Sequence, residues 1–446
     1  MSKKPISFIL AFMAFILLVG LACGIPKKAD PTATPKPPTE EVVTQEPTPK
    51  VPVTLESGLT LLDNLTFIQD DTTLTTFIFL KNNEPENTFV DVEYTVHAYD
   101  ASGAQVDNDS STVGYIFPGQ TIGLVNEIWL DDGIIVDSIT VDWIIDSQEV
   151  YPGFEDPFET SKALYLDDDG WYYLTGVLTN KDIVTYTDLR VSAIGYDNAG
   201  KIVGGGYGYV DFIPSDDYVG MSVSSTFTSA PDRIEFYPAF TSWTSYFEDG
   251  DWWNNIEVID YGFVQSDYEV GGGMLVKNIS DTLHEDSQYY LTVYDADGYV
   301  CAVDSGYIDL IWPGETLGVS PGASYPPESC TPDNVDLIVM PGDFSEHELS
   351  ANPLVVQDFT YQNDSYYPTV SVTIKNTLSQ SVSDPMVYVL LFDEAGDIVG
   401  GGNGLPEDLE ANGTQTLEVY VTYAGTEPPY RIEVYTTITT WSEIGQ

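Results

Sequence analysis

Positive charge is what this sequence has least of. In 446 residues, 15 Lys and Arg face 70 Asp and Glu, a net charge of −55. Four of those acids and six of those bases precede residue 55, so the remainder carries 66 against 9, or −57. A surface this negative repels phosphate backbones at every contact, which excludes nucleic acid as a partner. It favours cations, cationic partners or plain solubility. Histidine is scarce as well: His97, His284 and His347 stand far apart in the chain, and their spacing suggests neither a triad nor a metal set. Carboxylates are so numerous that chance pairs are expected, and none is marked as an acid and nucleophile couple. The expectation is a protein that is not an enzyme.

The start of the chain differs from the rest. Lys3 and Lys4 precede an apolar run, Ile6 to Val19, that is short for a bilayer span, and Leu21-Ala22-Cys23 closes it. A simple transmembrane anchor is the alternative. After it, residues 24–54 are dense in Pro and Thr and poor in large apolar groups, so they cannot bury a core. Proline favours an extended chain of about 3 Å per residue, which lets this stretch reach roughly 90 Å as a tether.

From residue 55 onward the dominant signal is repetition. Asn82, Asn180, Asn278 and Asn376 are spaced by 98, and each ends a short β-rich run. Seventeen or eighteen residues later each copy reaches a strand closing on an aromatic and an aspartate: Asp100, Asp197, Asp295 and Asp393. A glycine follows three residues on, at Gly103, Gly200, Gly298 and Gly396, and Asp-x-x-Gly reads as a hairpin turn. Counting back by twos from each Asp gives Ala98, Val96, Tyr94; Gly195, Ala193, Val191; Val293, Leu291, Tyr289; and Leu391, Val389, Val387. Period two places each set on one face of a strand, the face toward a core.

That frame also disposes of a tempting motif. The stretch GKIVGGGYG at residues 200–208, echoed by GDIVGGGNG at 396–404, looks like a phosphate loop. No helix signal and no Lys follow it, so it reads as the return strand of the hairpin, with glycines that let it bulge or run close to another backbone.

About seven short strands per 98 residues, joined by Gly, Pro, Asn and Asp, predict an all-β chain of four tandem immunoglobulin-like β-sandwich domains. The expected boundaries are 55–148, 149–249, 250–346 and 347–446, following a signal peptide at 1–23 and a tether at 24–54. The N-terminal segment resembles a bacterial lipoprotein signal peptide, and the repeated strand, Asn, aromatic-Asp and turn glycine resemble the FxLYD-type extracellular domains of bacterial lipoproteins. The first resemblance implies cleavage before Cys23, lipidation of that residue and attachment to the extracytoplasmic face of the cell membrane. The second implies a fold and an address, with no activity attached.

Three sets of residues invite a site. Cys301 and Cys330 both fall in the third copy and would pair in an oxidising compartment, the alternative being two free thiols. Asp249 and Asp251, with Asp295 and Asp297, stand in acidic turns whose oxygens suit Ca²⁺, although turn chemistry alone accounts for them and no EF-hand loop is completed. Tyr246, Phe247, Trp252 and Trp253 crowd the junction of the second and third copies, where exposed rings would stack on sugars and buried ones would fix the angle between domains. The functional expectation is a membrane-anchored, non-enzymatic binding, adhesion or spacer protein, with a cell-surface protein or polysaccharide as partner. The alternative is a carbohydrate-binding protein or glycan-active enzyme using the aromatic junction.

Overall fold

In each copy the Asp-x-x-Gly turn closes as its chemistry requires. At Asp197 the amide of Gly200 donates to the Asp197 carbonyl (3.0 Å), while the side chain accepts from the amides of Ala199 and Lys201 (2.9 and 2.8 Å). Gly200 has φ +82, which a side chain would resist. The strands on either side, Val184–Tyr196 and Ile202–Ile213, pair antiparallel with a register shift at Gly195/Tyr196. The glycine-rich phrase is therefore a strand. A Cβ on Gly205 would lie 2.4 Å from the Ala193 carbonyl and 2.9 Å from the Phe77 ring of the first repeat.

The computed structural model describes residues 53–54, 58–62, 65–150, 156–168, 170–248, 250–265, 270–321, 330–345, 349–363 and 368–444. Cys23 and most of the tether lie outside the described residues, as do Asp249 and His347. All described strand pairings between named strands are antiparallel, and the chain is all-β, with a single short 3-10 turn among the described residues, at Asp251–Asn255. Among the described residues no helix is long and apolar enough to cross a membrane.

Each repeat supplies two main sheets, and the third adds a two-stranded one in which Leu283–Glu285 pairs with Asp343–Ser345. One main sheet is built on the strand that ends in the repeated Asn, such as Thr73–Asn82 or Thr369–Asn376; the other is built on the strand that ends in aromatic-Asp, such as Asn87–Tyr99 or Pro385–Phe392. In the second repeat the two sheets are stitched together where Gly204 and Gly205 pair with Phe227 and Thr226. The final strand of the first repeat, Ser138–Val150, runs two residues past the boundary expected at 148.

The repeated asparagines tie the two sheets to each other. Asn278 is fully buried; its Nδ2 donates to the carbonyls of Thr282 (2.7 Å) and Ile311 (2.8 Å), and its Oδ1 accepts from the Ser280 amide (2.9 Å). Asn82, Asn180 and Asn376 are equally buried and make the same three kinds of bond. A buried amide that satisfies three backbone groups is costly to replace, since each orphaned group forfeits about 1–3 kcal/mol.

The core-face residues counted from the Asp are buried in every copy, yet the cores do not stop at the repeat boundaries. Ala239 of the second repeat belongs to the first cluster, Tyr290 and Met340 of the third belong to the second, and Leu283, Leu310 and Trp312 of the third belong to the fourth. Successive repeats pack the outer face of one aromatic-Asp sheet onto the Asn sheet of the repeat before it. Thr175, on an Asn strand, donates to the Val300 carbonyl of the next repeat (2.7 Å), and the Gly220 amide donates to Thr292 (3.1 Å).

Candidate functional site

The stacking of the second repeat on the third leaves an open groove of about 670 Å³. One wall carries Lys162, Thr179 and Tyr218; the other carries Tyr261, Tyr294 and Asp336, with Asp295 and Asp333 beside them. The placement follows from strand register. Tyr218 opens its strand opposite Thr179, Tyr294 ends the hairpin strand opposite Asn334, and Asp336 stands opposite Thr292 on the same ladder. Tyr261 follows a register shift between Val258 and Asp260 that re-aims the strand. Lys162 sits at a second irregularity with φ +54, between the pairs Leu164↔Thr175 and Ser161↔Val177.

Asp336 dominates the electrostatics of the groove. Its charge is the largest cause of the raised pKa of Tyr218, and after burial it also raises those of Tyr261 and Tyr294. Asp217, next to Tyr218, is pushed up by burial first and is raised further by the same charge. Lys162 brings the one cationic side chain among the lining residues, and it is engaged: Nζ donates to the Asp297 carbonyl (2.8 Å) and lies 5.0 Å from the centre of the Tyr299 ring. Tyr294 is 9% exposed, and its buried hydroxyl makes no hydrogen bond of normal geometry. The groove thus offers aromatic faces, phenolic hydroxyls and carboxylates, with its only lysine already committed.

The residues expected from the sequence fall elsewhere or only at its edge. Cys301 and Cys330 are joined, with Cα atoms 5.5 Å apart, inside the third core. Asp295 closes its turn by accepting from the amides of Asp297 and Tyr299 (2.9 and 2.8 Å), and the Asp297 carbonyl receives Lys162. Among the described residues no three His, Cys, Asp or Glu side chains gather as a metal cluster. Asp249 and the side chains of Asp251 and Trp252 lie outside the described residues. The aromatic junction divides: Phe247 and Trp253 pack against the second core, whereas Tyr246 is exposed. His97 has its Nε2 3.2 Å from Asp142, and His284 is buried against Phe344, where burial lowers its pKa.

Sequence reasoning missed the groove because its lining comes from strands of two repeats, and no spacing within one repeat links Tyr218, Tyr261 and Asp336. It also missed a pair of matched turns. Thr241 and Thr244 clamp one, Thr439 and Ser442 the other, with hydroxyls reaching the Asp188 and Asp384 carbonyls (3.0 and 3.1 Å). Each lifts a tryptophan into solvent, Trp243 at 81% and Trp441 at 84% exposure. The signal was present as TSWT and TTWS, 198 residues apart.

No family model matches the chain, and no curated protein matches it. Among solved structures, Escherichia coli alpha-2-macroglobulin activated by porcine elastase aligns at 8% identity with a TM-score of 0.10, over 87% of this chain. The chain spans 44% of that structure's length, and a likeness this slight carries no argument. The class of the protein rests on its own architecture: an all-β chain of antiparallel sheets, consistent with immunoglobulin-like β-sandwich domains.

Proposed function

We propose that this protein is a lipid-anchored extracytoplasmic lipoprotein whose four FxLYD-type repeats form a non-enzymatic binding and spacer module. The observation that carries this reading is the sharing of cores between successive repeats, in which residues such as Tyr290 and Leu310 fill a neighbour's interior. Repeats packed this way hold a surface at a fixed position, which suits presentation to a partner better than a hinged string would. The acidic surface supports the same reading, because it keeps such a module soluble and turns it away from anionic head groups. The packing of Phe247 and Trp253 into the second core favours junction packing over sugar stacking at that place.

The anchor is tested by Cys23→Ala. The expected outcome is release of the protein from the membrane fraction or accumulation of an uncleaved precursor. Unchanged processing together with unchanged membrane association would remove the lipoprotein assignment.

A further inference from the structure

We infer that the groove between the second and third repeats is a binding site for an organic ammonium group, held against the faces of Tyr218 and Tyr261 and the carboxylate of Asp336. The inference deepens the binding part of the reading above and is independent of the anchor.

The sign of the ligand follows from the lining. Asp295, Asp333 and Asp336 face a space whose only cationic side chain among the described residues, Lys162, is held at the rim by the Asp297 carbonyl and the Tyr299 ring. An anion entering there would meet carboxylates with no free cation to offset them. The ligand is therefore neutral or positive, and the field of Asp336, felt by Tyr218, Tyr261, Tyr294 and Asp217 together, favours the positive.

The type of cation follows from the spacing and the rings. Among the described residues no three ligating side chains come close enough to share a metal ion, so a hard divalent ion would find few of the carboxylates it prefers. An ammonium group needs less. It is satisfied by one carboxylate and by the negative faces of aromatic rings within about 6 Å. The chain uses this interaction in its own packing: Lys162 lies over Tyr299, Arg190 over Tyr207 at 4.2 Å and Arg233 over Tyr196 at 4.1 Å. Tyr218 and Tyr261 are 43% and 37% exposed, so their faces remain accessible, and the buried Tyr294 forms the floor. A volume of about 670 Å³ is in the range of small-molecule sites and accommodates an alkyl chain behind the charged head. The net charge of −55 raises the concentration of any such cation near the surface.

The test uses the full chain in detergent with cadaverine as the probe, followed by calorimetry at a fixed, near-physiological salt concentration. Saturable binding at one site per chain is expected, weakened about tenfold or more by Asp336→Asn and by Tyr261→Ser, changes that remove the carboxylate and one ring. Two controls make the result decisive. The uncharged 1,5-pentanediol should not bind, and Asp71→Asn, in an exposed turn far along the chain, should leave cadaverine binding unchanged. Thermal unfolding of each variant separates loss of the site from loss of the fold, and Tyr218→Leu serves as the replacement should Tyr261→Ser not fold. Binding of pentanediol as tight as that of the diamine would overturn the ammonium assignment. So would equal weakening by Asp71→Asn and Asp336→Asn, which would reduce the effect to general attraction, or the absence of saturable binding. Failure on any of these counts leaves the spacer role standing, whereas failure of the Cys23→Ala test leaves the groove untouched.

Discussion

The strand Asn87–Tyr99 of the first repeat and its counterpart Pro385–Phe392 in the fourth have the same core face and opposite outer faces. Tyr94, Val96 and Ala98 are buried in the first, as are Val387, Val389 and Leu391 in the fourth. On the other side, Glu93, Thr95 and His97 alternate with them as partly or fully exposed polar residues, while Tyr388, Leu390 and Phe392 are almost wholly covered and Met386 is partly buried beside them. The fourth repeat has a predecessor to lie on, and the first repeat's outer sheet has none among the described residues. The Asn sheets show the mirror image. Thr73–Asn82, covered by the second repeat, is buried along both faces, and Thr369–Asn376, which no further repeat covers among the described residues, alternates strictly. Position in the series, rather than the repeat motif, decides whether a strand is buried once or twice.

The largest expected effect separates those two outer faces. Leu390→Asp places a charge at a fully buried position between repeats three and four and should cost more than about 4 kcal/mol or prevent folding. Urea denaturation of the full chain measures it, and a cost below about 1 kcal/mol would mean that the outer face is not held closed.

The next effect concerns how the first interface differs from the last. Arg190, on the outer face of the second repeat, is 5% exposed; it donates to Ser111, the Val125 carbonyl and Asn126, and stacks on Tyr207. Arg190→Ala should cost about 3 kcal/mol by leaving those acceptors unpaired. In the fourth repeat the corresponding Met386 should lose much less on truncation, since it is only partly buried.

A smaller effect depends on pH. Tyr388 donates to Asp309 across the third interface (2.6 Å), and burial raises the Asp309 pKa to about 6 from 3.8. A carboxyl whose folded pKa is raised favours the folded state while protonated; that contribution is complete below the unfolded pKa near 4 and is lost as pH rises through 6. Asp309→Asn, which still accepts from Tyr388, should therefore be more stable than the parent at pH 7 by up to about 3 kcal/mol and equal to it near pH 4. Parallel melting curves at the two pH values would reveal no such crossover if the carboxyl were solvated. The smallest effect is expected at the first repeat's outer face, where Thr95→Val should change stability by less than about 0.5 kcal/mol.

Much of the architecture is legible in the sequence alone. The Asp-x-x-Gly turns, the hairpin return at Ile202 and the period-two core face follow from local rules, and the strands obey them. The second burial was not legible from those rules, because Ser192, Ile194 and Tyr196 are covered by a different repeat and no local period reports a distant neighbour. A trace existed: apolar residues stand on both faces of Pro385–Phe392 but not of Asn87–Tyr99. The groove left no such trace. Tyr218 and Tyr261 read as ordinary strand tyrosines, and only the stacking of two repeats makes Asp336 their neighbour. At the aromatic junction, where the sequence left packing and sugar stacking both open, Phe247 and Trp253 pack against a core while Tyr246 is exposed, a division that no local spacing reports.

Packing each repeat on the one before it is a head-to-tail contact, and such a contact does not close on itself. Nothing in its geometry limits the series to one chain: the last Asn sheet, with Val355, Phe359 and Tyr420 in solvent, is a surface onto which another copy's first outer sheet would lie. That first sheet instead presents Glu93, Thr95 and His97 where Arg190, Ser192 and Ile194 or Met386, Tyr388 and Leu390 stand in the second and fourth repeats. Burying Glu93 there without a partner would cost more than the contact returns. The outer strand of the first repeat, with Glu93, Thr95 and His97 on that face, is thus a poor surface for one more head-to-tail contact of this kind.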